Sequence, residues 1–111
     1  MTKYVLFSVV VVFLMGAQLA RAQGGDATAG KVVFSKSCAT CHAADGAPKA
    51  AIAKMLKVEM EHLGAKEVQD KSDADLKKVV VEGYEKMKPV KGLADKDVAN
   101  VIAFVRTLKQ P

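Results

Sequence analysis

Apolar positions fall into five groups along the chain, and the first differs in kind from the other four. Residues 4–15 are apolar almost without a break, Ser8 being the exception. In the later groups apolar residues recur every three or four positions, the repeat of one helical face, and they almost nowhere alternate in twos. Residues 26–37 place Ala27, Gly30 and Phe34 on one stripe, which Cys38 and Cys41 continue, behind an acidic opening at Asp26. Residues 49–63 put Ile52, Met55, Leu56, Met60 and Leu63 on one face, with Gly64 as the stop, so both methionines are expected in the core. Ser72-Asp73-Ala74-Asp75 has the composition of a helix cap, followed by Leu76, Val79 and Val80 and closed by Gly83. A last helix from Asp95 carries Val98, Val101, Ile102, Val105 and Leu108 inward, with Phe104 flanking. The pattern predicts an all-α domain of about four helices.

The connections are polar or broken. Residues 43–48 form a turn marked by Asp45-Gly46 and Pro48, and 65–71 read as a loop. Residues 84–92 cannot be regular structure with Pro89 and Gly92 inside them. A glycine in mid-helix costs about 1 kcal/mol relative to alanine, so Gly30 predicts a close backbone approach, with the last helix as partner. The chain has no internal repeat and no low-complexity segment.

The first apolar group has a different meaning. Lys3 precedes it, and Ala20-Arg21-Ala22 follows with small residues at −3 and −1 of a cut before Gln23. This is the layout of a signal peptide over 1–22, leaving a domain at 23–111 and placing the protein in the periplasm. A dozen apolar residues fall short of the roughly 20 that span a bilayer, so an uncleaved anchor is the weaker reading. No stable membrane insertion is expected after cleavage. Removal of Lys3 and Arg21 lowers the formal charge from +5 to +3, too mild a surplus for a nucleic-acid binder. A domain this short buries only a small core of its own.

Chemistry concentrates in Cys38-Ala39-Thr40-Cys41-His42, which holds the only two cysteines of the chain. On a helical turn, positions i, i+3 and i+4 share a face. One flat ligand can then receive two thioether bonds while the imidazole approaches beneath it, which is covalent haem attachment. Other readings fit less well. A thioredoxin-like pair wants a βαβ setting, and a zinc site wants four ligands where only His62 remains. A disulfide across two residues would close an unusually tight loop. The His42 ring also needs an acceptor for its other nitrogen, expected from a carbonyl in or just after 43–48. A haem packed among the helices would add the apolar surface that so short a chain lacks.

Candidates for a second iron ligand are Met55, Met60, His62 and Met87. Met87 alone sits in the extended loop, near a proline and between helices, and its thioether reaches easily into a pocket. His62 lies off the apolar stripe and is expected on the surface. Ligation by His62, or no sixth ligand, stays open beside Met87.

Taken together, residues 24–109 resemble a small bacterial monohaem class I cytochrome c. The resemblance rests on Asp26, Gly30, Lys31 and Phe34, on Cys38, Cys41 and His42, on the Met87 loop, and on the run from Val101 to Val105. It implies helices wrapped round one haem c held by Cys38 and Cys41, with His42 proximal and Met87 distal to the iron. It also implies that Gly30 meets Phe104 where the first and last helices cross. Two features depart from the family: Lys88 separates Met87 from Pro89, and the segment after His42 is short.

The expected function is a soluble, monomeric carrier of single electrons between redox proteins, not an enzyme. Lys86, Lys88 and Lys91 stand in the Met87 loop, where they are suited to orient an acidic partner. The alternatives are a haem subunit of a larger oxidoreductase, or a ligand-binding or peroxidase-type protein with a labile distal ligand.

Overall fold

Asp26 starts the first helix of the described residues, α1 (Ala27–Ser37), by capping it: its carboxylate accepts from the N–H groups of Thr28 at 2.8 Å and Ala29 at 3.2 Å. The computed structural model describes residues 24–111, so the signal peptide expected at 1–22 lies outside the described residues. Four more helices follow, α2 (Ala50–Leu56), α3 (Lys66–Gln69), α4 (Asp73–Glu82) and α5 (Asp95–Thr107). The described residues contain no strand, only two isolated antiparallel bridges, so the all-α expectation holds.

The architecture is organised by the crossing of α1 and α5. A Cβ built on Gly30 would lie 1.8 Å from the Asn100 carbonyl oxygen and 3.0 Å from the Phe104 Cβ. The close approach read from the sequence is therefore present, with Asn100 as its nearest point and Phe104 next to it. The Asn100 side chain, 6% exposed, accepts the Asp26 N–H at 2.8 Å and so fixes the start of α1 against α5. Phe34 and Phe104 pack ring to ring at 5.1 Å, with Val101 completing the cluster. Burial of each large apolar side chain contributes about 1.5–3 kcal/mol. Phe104 belongs to this core and does not merely flank it. A second cluster of Leu76, Val98 and Ile102 joins α4 to the other side of α5, with Val80 and Leu93 at its edge.

The stretch 49–63 departs from its expected single helix. α2 stops at Leu56, because Lys57 turns left-handed (φ 56°, ψ 48°), and its N–H bonds back to the carbonyls of Ala53 and Lys54. Residues 58–62 are irregular, Met55 is 68% exposed and Met60 half-buried, so neither methionine is a core residue. Gly64 accordingly does not end a helix. It is buried, and its carbonyl accepts the Gln110 N–H at 2.9 Å. The expected loop at 65–71 contains the one-turn helix α3, whose Gln69 amide bonds the carbonyls of Leu63 and Val105.

α4 and α5 begin and end where the sequence pattern places them. Ser72 Oγ accepts the Asp75 N–H at 3.1 Å, and the Asp97 carboxylate accepts the Ala94 N–H at 3.2 Å. Arg106 reaches across from α5 and ties the α3–α4 junction to it. It donates to the Gln69 carbonyl at 2.7 Å, the Lys71 carbonyl at 2.6 Å and the Asp73 carboxylate at 2.7 Å.

Candidate functional site

The regular part of α1 ends at Ser37, so the cysteine motif lies just beyond the helix and not on it. Helical spacing nevertheless survives. The Cys38 N–H bonds the Phe34 carbonyl at 2.9 Å, and the Cys38 carbonyl accepts from Cys41 at 3.3 Å and His42 at 3.1 Å. One more turn is thereby closed, and it keeps positions i, i+3 and i+4 on one side. Both thiols are free and half-buried, and Cys38 rests on the Phe34–Phe104 cluster. Burial pushes the Cys38 thiol up, which keeps it protonated near neutral pH.

The His42 ring stands 6.4 Å from that of Phe34 at an angle of 47°. Its Nδ1 is buried and has no hydrogen-bond partner. No carbonyl in or just after the following turn accepts from it, so the expected acceptor is not in place. The Ala43 carbonyl takes the Gly46 N–H, the Ala47 carbonyl takes the Ala43 N–H, and the Cys41 carbonyl takes the Lys49 N–H. Desolvation lowers the His42 pKa and so favours the neutral imidazole, the form that ligates a metal. Leaving a polar atom buried and unpaired costs about 1–3 kcal/mol, which marks the His42 ring out from the rest of the described residues.

Met87 is the second end of a tight two-residue turn. Tyr84 and Met87 exchange both backbone hydrogen bonds, at 3.0 and 2.8 Å, around Glu85 (φ 50°) and Lys86. The turn is pressed against the end of α4: a Cβ on Gly83 (φ 84°) would lie 2.7 Å from the Met87 carbonyl and 2.9 Å from the Pro89 ring. A bond of 2.9 Å from the Val90 N–H to the Val80 carbonyl closes the loop. The Lys88 insertion thus leaves Pro89 braced against the helix end. Met87 itself is half-buried.

The other ligand candidates are placed differently. Met55 is largely exposed, and Met60 lies on the irregular segment after α2. His62 is half-buried, not the surface residue expected, and its Nδ1 accepts the Gly64 N–H at 2.9 Å. Among the described residues no three His, Cys, Asp or Glu side chains gather around a point where a bare ion would sit.

Two free thiols one turn apart, followed at once by a neutral imidazole with an unpartnered nitrogen, fit a porphyrin. Presented on the turn that follows α1, within an all-helical scaffold, they point to a protein that carries its iron in a covalently attached haem. Residues 27–109 match the cytochrome c family, and the chain belongs to that family, as a small bacterial class I c-type cytochrome. It is 34% identical over 90 residues to cytochrome c-554(547) of Halothiobacillus neapolitanus, a match that covers 77% of this chain and 99% of that relative. No solved structure matches the chain. Membership brings one covalent haem c and haem-based electron transfer with redox partner proteins. Cytochromes of this family are typically exported. Among the described residues no helix is long and apolar enough to cross a membrane.

Sequence reasoning missed Asn100, Gln69 and Arg106, which hold the scaffold of the site. Each is a polar residue beside an apolar stripe, where periodicity predicts solvent. It also missed Lys49, whose side chain donates to the Ala39 carbonyl inside the motif.

Proposed function

We propose that the protein is a soluble periplasmic carrier of single electrons, exported through the signal peptide at 1–22 and working as a monomer over 23–111. Cys38 and Cys41 bond the haem, His42 holds the iron from the proximal side, and Met87 holds it from the distal side. When bound, the haem supplies a ferric/ferrous couple. The chain supplies the coordination, the apolar surroundings and the docking surface.

The observation that carries this reading is the setting of Met87. Met87 combines a half-buried side chain with a backbone fixed by the Tyr84 pair and by Gly83, whereas Met55 is exposed, Met60 lies on irregular chain and the His62 Nδ1 is already bonded to the Gly64 N–H. A thioether held this way needs little rearrangement when the iron changes charge. Its softness favours ferrous iron and so raises the potential relative to two histidines. Lys86, Lys88 and Lys91 are all exposed around this turn and suit an acidic partner.

Carbon monoxide tests the assignment. The reduced protein is expected to bind it poorly, and Met87→Ala to bind it readily. Ready binding by the unaltered protein would favour a ligand sensor or a peroxidase-type function.

A further inference from the structure

Lys49 occupies a position where its residue type has no local purpose. It is the N-cap of α2, yet its side chain makes no cap, and a cation at the start of a helix faces the positive end of the dipole. Its side chain turns instead to the cysteine motif. The ammonium donates to the Ala39 carbonyl, ten residues back, while the Lys49 backbone N–H donates to the Cys41 carbonyl at 3.1 Å. The Cys38 carbonyl is already taken by the Cys41 and His42 N–H groups. One residue thus satisfies two carbonyls of the loop between the two thiols and the imidazole.

We infer that Lys49 is a positioning residue which closes the attachment loop from outside and, through its charge, holds the haem potential up. This rests on the reading of Cys38, Cys41 and His42 given above. The ammonium on the Ala39 carbonyl places a full positive charge beside the attachment motif, which favours the ferrous state. Because Lys49 is exposed, its charge is felt through solvent and must weaken as salt rises.

The test is the reduction midpoint of the full haem-loaded protein, measured at about 0.01 M and about 1 M salt, where the screening length falls from roughly 30 to 3 Å. Lys49→Met is expected to have a lower midpoint at low salt, with the gap closing at high salt, and Lys49→Arg to restore the original value. Lys49→Gln, which keeps a neutral donor, is expected to fall as Lys49→Met does, and it replaces that variant should it not mature. Lys54→Met removes an equal charge from the last turn of α2, where the lysine side chain bonds no carbonyl among the described residues, and should shift less. A midpoint unchanged in both neutral variants, or a Lys54→Met shift as large, would overturn the inference. So would an arginine variant as low as the methionine one. If the unaltered protein retains no covalent haem, the attachment reading itself fails. If it retains haem and the Lys49 variants do not move, only the role of Lys49 does.

Discussion

One carbonyl, that of Asn100, sets how near α1 and α5 can lie, and Gly30 is the residue that lets them meet there. Gly30→Ala would place a methyl 1.8 Å from that oxygen, so the helices must part. Overpacking of this kind costs about 1–3 kcal/mol or more, well above the gain in helix propensity. A clear drop in the denaturant midpoint of the haem-loaded protein is expected. An unchanged midpoint would mean that the crossing is loose. The partner of Gly30 was readable in the sequence as a helix but not as an atom. A mid-helix glycine announces a close neighbour, while the choice between Asn100 and Phe104 depends on how far the helices slide. The same limit applies to His42. Its place directly after the second cysteine is legible from spacing alone, but whether a carbonyl reaches its Nδ1 depends on the course of the backbone through the next turn.

At the level of elements, periodicity located α1, α4 and α5 because each buries a stripe and carries its own start signal. It overextended α2, because Met60 and Leu63 continue the spacing of Ile52 and Leu56 although Lys57 breaks the helix between them. An apolar repeat cannot distinguish a continuing helix from a left-handed break that returns to the same side. Nor did it find α3, which is too short to have a period. What binds these pieces is Arg106, one side chain bonded to two carbonyls and a carboxylate. Arg106→Ala should destabilise the loaded protein by about 1–2 kcal/mol, toward the low end for charge-assisted bonds because the group is partly exposed. Arg106→Lys should recover little, since an ammonium cannot span the same three acceptors. A stability equal to that of the unaltered protein would show that the α3–α4 junction is held by its apolar contacts alone.

The molecule as a whole joins a close two-helix crossing to the Met87 turn mounted on the end of α4, and Val98 and Ile102 of α5 pack against Leu76 of α4. On the ligation proposed above, a haem held by His42 and Met87 would be braced by both parts, and a change of iron charge would then require little movement of the chain. Docking belongs to this scale too. Replacing Lys86, Lys88 and Lys91 with glutamine should slow reduction by an acidic partner severalfold at low salt and hardly at all at high salt, as measured by stopped flow. Equal rates at low salt would remove those lysines from the encounter.

The reading depends most heavily on sulfur reaching the iron, and the near-infrared absorption of the oxidised protein reports that bond directly. A sulfur-to-iron charge-transfer band is expected in the unaltered protein and should vanish in Met87→Ala. A spectrum without the band, or a band that survives loss of Met87, would contradict the account.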